Sequence, residues 1–132
     1  MQSFLRVFAL SVVFLLLAGF GQVRQRGHAP RPHHVSIARV HNIWKAVRRG
    51  TDSTEVRVDV ADTVYFHAEG SDVYFQFDNK NLFGVENQMV KSGHWIFLVV
   101  KPVQPGPYTY SAFCEAQKVF AQGDSPPKII VN

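Results

Sequence analysis

Apolar and polar side chains alternate along this chain in short bursts. Val56, Val58 and Val60 alternate with Arg57 and Asp59; Val64, Phe66 and Ala68 with Tyr65 and His67; Val73, Phe75 and Phe77 with Tyr74, Gln76 and Asp78. A period of two sends successive side chains to opposite faces of a pleated strand, so each burst predicts a half-buried strand. Residues 95–100 are apolar on both faces and predict a central strand. Tyr108, Tyr110, Ala112 and Cys114 share one face of the next strand, and residues 35–40 and 128–132 open and close the set. Gly50, Gly70, Gly93, Gly106 and the pair Pro126 and Pro127 punctuate these runs with turn chemistry. About seven short strands at this spacing predict an all-β sandwich. Residues 79–90 could hold a turn of helix and no more.

The first third of the chain follows another pattern. Residues 7–17 are almost purely apolar, preceded by Arg6 and followed by Ala18, Gly19 and Gly21. That layout predicts a secretory signal peptide over residues 1–21. The rival is an uncleaved membrane anchor, because the apolar run stretches to Val23 and Arg24 and Arg26 resist translocation. Residues 22–34 hold two prolines, three arginines and no apolar period, and predict a flexible basic arm before a domain over 35–132. Either N-terminal reading predicts an exported domain, periplasmic or secreted, that meets a membrane only through an uncleaved anchor.

Charge then narrows the partners. The formal net charge is +4, but from residue 35 onward basic and acidic side chains match one for one. The excess lies in Arg6 and in Arg24, Arg26 and Arg31 of the arm. A neutral body with a short basic arm predicts no nucleic-acid partner. The single cysteine, Cys114, has no partner within the chain, so the core must carry stability.

Three segments resemble the cupredoxin (plastocyanin-type) family. Residues 56–66, Val-Arg-Val-Asp-Val-Ala-Asp-Thr-Val-Tyr-Phe, resemble that family's V-x-V-x-x-G-D-T-V-x-F, with Ala61 where Gly is usual. Residues 73–78, Val-Tyr-Phe-Gln-Phe-Asp, resemble H-x-V-x-F-D. Gly106, Pro107, Tyr108, Thr109 and Tyr110 resemble G-x-Y-x-F/Y, which in the family runs on to x-C-x-x-H. The resemblance implies a cupredoxin-like Greek-key sandwich. It also implies a copper centre of two imidazoles, a thiolate and an axial thioether, a soft and constrained set that suits both copper oxidation states.

The residues that would build that centre are replaced. Val73 stands at the first histidine's position, Ala112 at the cysteine's and Glu115 at the second histidine's, while Cys114 falls two residues late. A slip of two would seat Cys114 but put Gln117 at the histidine's position. Residues 115–127 contain neither His nor Met. These substitutions predict no cofactor and no type-1 copper.

Other chemistry is sparse. His28, His33 and His34 cluster in the arm and are the alternative metal ligands. His67 alternates outward from Phe66 and is expected at the surface. Cys114 is expected buried and inert, and no acid, base or nucleophile set emerges to predict an enzyme. Val119 and Phe120 in the lengthened loop are the candidate interaction residues. Phe120 either folds back to plug the vacated copper pocket, the expected outcome, or stands exposed as a partner anchor. The sequence thus predicts a binding module whose partner is another exported or membrane protein. The alternatives are a periplasmic metal-handling protein using the His-rich arm, and an electron-transfer cupredoxin with an unrecognised site.

Overall fold

A computed structural model describes residues 29–123 and 126–132; the expected signal peptide, most of the arm and His28 lie outside the described residues. Among the described residues, ten strands form two facing sheets. The smaller contains β1 (Pro32–Val40), β2 (Ile43–Arg48), β4 (Thr63–Ala68) and β7 (Trp95–Val99), in the order β2-β1-β4-β7. The larger runs β3-β10-β8-β5-β6, from β3 (Val56–Val58), β10 (Lys128–Val131), β8 (Gly106–Cys114), β5 (Val73–Phe77) and β6 (Asn87–Val90), with β9 (Val119–Phe120) added against β8. Pairs β1–β4 and β3–β10 are parallel and the others antiparallel.

The alternating segments become strands with the predicted faces inward: Val56, Val58, Val64, Phe66, Val73, Phe75, Phe77, Tyr110, Ala112 and Cys114 are all buried. Val60, expected on the same face as Val58, instead lies past the end of β3 and is exposed, because the chain turns there toward Asp62. Phe66 sits at the centre, its ring 5.0 Å from Phe75, 5.7 Å from Phe77, 5.8 Å from Phe83 and 5.7 Å from Tyr110. Tilted and edge-to-face rings at these spacings are the arrangements aromatic pairs prefer, and here they join the two sheets.

Strands β2, β6 and β9 are additional to those the pattern predicts. β2 buries Ala46 and Val47 in succession, which masks its alternation. It is reached through a two-residue turn in which His41 and Asn42 both have positive φ, 53° and 66°. That geometry is the type I′ hairpin, usually signalled by Asn-Gly. Residues 79–84 form one turn, closed by Gly84 N–H donating to the Lys80 carbonyl at 2.8 Å, before β6 begins.

Two expectations are corrected. β7 is an edge strand, not a central one: an apolar run on both faces does not by itself say whether a neighbour covers it. β1 begins at Pro32, so Pro32, His33 and His34 belong to the sheet rather than to the arm. Asp62 fixes that start. Its carboxylate is buried and accepts backbone N–H bonds from Arg31 at 2.9 Å and Asp59 at 2.9 Å, and a bond from His33 Nε2 at 2.8 Å. Burial alone would raise the Asp62 pKa; these donors outweigh it and hold the carboxyl below its ordinary value. The preceding Ala61 has φ 76°, a left-handed conformation that explains why glycine is usual there.

Candidate functional site

The end of the sandwich where the resemblance would put copper is built from hydrocarbon. In the β5–β8 register Val73 lies opposite Cys114 and Phe75 opposite Ala112, and Val73, Ala112 and Cys114 are fully buried. Val90 closes the same layer from β6. Glu115, just past the strand, turns outward to Lys118, whose Nζ donates to its Oε1 at 2.7 Å. Among the described residues, no three His, Cys, Asp or Glu side chains converge as a metal site would require.

Hydrogen bonds tie the loops at this end. Glu115 N–H donates to the Asp72 carbonyl at 3.0 Å, Ala116 N–H to Ser71 Oγ at 2.9 Å, and Ser92 N–H to Asp72 Oδ1 at 2.8 Å. Trp44 Nε1 reaches across from the smaller sheet to Gln117 Oε1 at 2.8 Å. Burial pushes the Cys114 thiol up to about 11, so thiolate is scarce at neutral pH. A water-soluble disulfide reagent is expected to label Cys114 only as fast as the chain unfolds, and completely in denaturant. Rapid labelling of the native protein would contradict this burial.

The histidines separate. His33 and His34 are adjacent in β1 and therefore point to opposite sides: His33 goes to Asp62, while His34 Nδ1 lies 2.9 Å from His67 Nε2. Arg49 Nη1 approaches the same His67 nitrogen at 3.5 Å. A guanidinium only donates, so His67 Nε2 is the acceptor and His34 Nδ1 the donor. His67 occupies the outward face expected of it but is buried there, beneath the His34 and Trp95 rings. Its pKa is lowered, first by burial, then by the Arg49 charge and His34, against a smaller opposing pull from Glu69. The His67 Nε2 lone pair is thereby engaged.

Phe120 is not a plug. After Cys114 the chain turns through Lys118, φ 52°, and returns as β9 with Phe120 opposite Phe113 and Val119 opposite Cys114. Because Ala112 and Cys114 face the core, Phe113 faces out, and Phe120 shares its side. Phe120 is 62 % exposed. The small Ala121 is what enters the core, held by its N–H to the Ala112 carbonyl at 2.8 Å. Reciprocal bonds of 2.8 Å between Gln122 and strand β2, at Trp44 and Ala46, then join this segment to the other sheet.

The cross-strand register produces a continuous feature on the outer face of the larger sheet. Met89 lies opposite Tyr74, Tyr74 opposite Phe113 and Phe113 opposite Phe120, one row across β6, β5, β8 and β9. Tyr74 and Met89 are 46 % and 42 % exposed, and the Phe113 and Phe120 rings meet edge-on at 5.2 Å. Phe120 stands between two grooves. One, of about 510 Å³, is floored by this row; the other, of about 470 Å³, runs from Gln76 and Ser111 to Pro126 and Pro127.

No known family profile matches the chain, and no curated protein matches it. Solved structures do. A methionine-to-glutamine mutant of amicyanin in its Cu(I) form is 18 % identical, covering 76 % of this chain and 82 % of that one at a TM-score of 0.48. A reduced proline-to-glycine mutant of amicyanin is 17 % identical, covering 83 % and 88 % at 0.47. A chain from a heme-copper terminal oxidase dimer is 15 % identical, covering 96 % of this chain and 99 % of that one at 0.48. The fold is cupredoxin-like. The likeness to these structures is one of fold alone.

Proposed function

We propose that this cupredoxin-like domain is an exported binding module, neither an enzyme nor a copper electron carrier, and that it holds an extended apolar segment of another exported or membrane protein. The observation that carries this reading is the row Met89, Tyr74, Phe113 and Phe120. Four large side chains in register on a solvent-facing sheet surface, flanked by two grooves, form a contiguous apolar patch of the kind that marks an interaction site. Aromatic residues and methionine are the types that anchor such contacts. At the position that would hold copper, Val73 and Ala112 offer no lone pair.

The test has two arms. Titration of the purified chain with Cu(II), with Cys114 kept reduced, is expected to give no intense visible thiolate band; such a band with one copper per chain would sink the proposal. A photoactivatable side chain at Gln76, in the floor of both grooves, is expected to cross-link a partner in the exporting cell, while one at Arg57 on β3 does not. Phe120→Ala is expected to abolish the Gln76 cross-link and to cost well under about 1 kcal/mol of stability. A cross-link that survives Phe120→Ala unchanged would remove the row from the interface.

A further inference from the structure

Strand β7 leaves one side of its backbone open. It ends the smaller sheet, and its bonds to the interior run from even-numbered positions: Ala68 N–H donates to the His94 carbonyl, Val100 N–H to the Asp62 carbonyl, and Ala61 N–H to the Val100 carbonyl. Antiparallel geometry alternates, so the N–H and C=O groups of Trp95, Phe97 and Val99 face away from β4. Edge strands are usually guarded by lysine, proline or a bulge. Residues 95–99, Trp-Ile-Phe-Leu-Val, carry no such guard. Trp95 and Phe97 are 53 % and 58 % exposed on the outer face, and Ile96 and Leu98, on the core side, are only partly covered. A groove of about 310 Å³ runs along the edge between these residues and Gln88.

We propose that β7 pairs antiparallel with β7 of a second copy of this chain, with the two-fold axis at Phe97, so that the two smaller sheets become one. The strand is self-complementary in this register. Phe97 meets Phe97 of the other copy, and Trp95 meets Val99 in both directions, which places all three outward-facing backbone positions in hydrogen-bonded pairs, about six bonds in total. Shifting the axis to Ile96 or Leu98 leaves one position unpaired. On the outer face Tyr65, already packed against Trp95 at 5.4 Å and Phe97 at 6.0 Å, extends the aromatic surface on each side of the axis.

The absence of charge along the edge favours a second copy as the occupant, and the area sets how strongly it binds. The paired residues carry no charge for a partner of either sign to read, and two identical strands bring no like charges opposite one another; Lys91 and Lys101 lie beyond the pairing. A buried aromatic side chain contributes about 150–250 Å², so the half-exposed Trp95 and Phe97 with Val99, Tyr65 and the open backbone offer on the order of 400–500 Å² per copy. A standard interface takes roughly 600–1,000 Å² per partner. The pairing is therefore a weak, concentration-dependent dimer, on a different face from the Phe120 row and independent of it.

Cysteine cross-linking of the full chain tests the register, because buried Cys114 leaves an introduced cysteine as the reactive one. With a short bismaleimide, Phe97→Cys is expected to give a covalent homodimer. Trp95→Cys and Val99→Cys are each expected to fail alone, since like positions lie four residues apart, about 13 Å, and to cross-link when mixed. Adding Phe97→Lys to that mixture is expected to abolish the product while leaving the unfolding midpoint near that of the parent variants. Met89→Cys, on the other sheet, is the control. Equal cross-linking at every position, a product containing a different protein, or a chain that stays monomeric with Phe97→Cys unreacted across copies at high concentration would each overturn the proposal.

Discussion

Phe66→Ala is expected to lower the unfolding free energy by about 3 to 5 kcal/mol, the range for removing a buried aromatic ring. Phe66, from the smaller sheet, has no exposed surface, and four rings surround it, three from the larger sheet and one, Phe83, from the turn after β5. The rings around it are packed against one another as well, Phe75 and Phe77 lying parallel 6.2 Å apart and Phe77 meeting Phe83 at 5.1 Å. With a single buried cysteine and therefore no internal disulfide, this core carries the sandwich. Urea denaturation of Phe66→Ala beside Phe97→Ala gives the contrast: the exposed ring of Phe97 is expected to cost well under about 1 kcal/mol. Equal losses for the two would contradict the assignment of one to the core and the other to the edge.

Asp62→Asn is expected to destabilise the domain by about 2 to 3 kcal/mol near neutral pH, because hydrogen bonds to a charged acceptor are worth more than those to a neutral one. The carboxylate takes both backbone donors, Arg31 and Asp59, and His33. Its pH dependence follows from the lowered pKa. Below an unfolded value of about 3.9, the unfolded chain takes up the proton before the folded chain does. The Asp62 contribution is therefore complete above that pH and is lost as pH falls through the lower folded value. Wild-type stability should thus fall more steeply than that of Asp62→Asn as pH falls below about 4, and the two curves should converge in acid. Parallel curves over that interval would remove Asp62 from the clasp that anchors the start of β1.

Several of these features were legible in the chain itself. The period of two in residues 56–58, 64–68 and 73–78 told which side chains face inward, because a pleated strand has only two faces and one of them is buried; at Val60 it failed because the strand had already ended. The parity of Tyr110, Ala112 and Cys114 correctly placed Cys114 in the core. The same parity, continued one step, points Phe113 outward. What it lacked was a turn signal after Cys114: the hairpin turns through Lys118 with positive φ, where no glycine marks it. Without that turn Phe120 looked free to fold inward, and its pairing with Phe113 could not be seen.

The sequence by itself determined the all-β character of the described residues, which faces of the main strands are buried, and which residues, Val73, Ala112 and Glu115, stand at the positions the resemblance gives to copper ligands. These are local matters of side-chain type and strand period. Tertiary structure alone decided the neighbours. It set β7 at an edge, carried His34 onto His67 while sending His33 to Asp62, and aligned Met89, Tyr74, Phe113 and Phe120 across four strands. Whether an apolar strand is central or open depends on which strand, if any, pairs with its far side. Which side chains form a row depends on register between segments up to 46 residues apart, as for Tyr74 and Phe120. A period within one strand holds no information about either, because register is set by long-range pairing rather than by local preference.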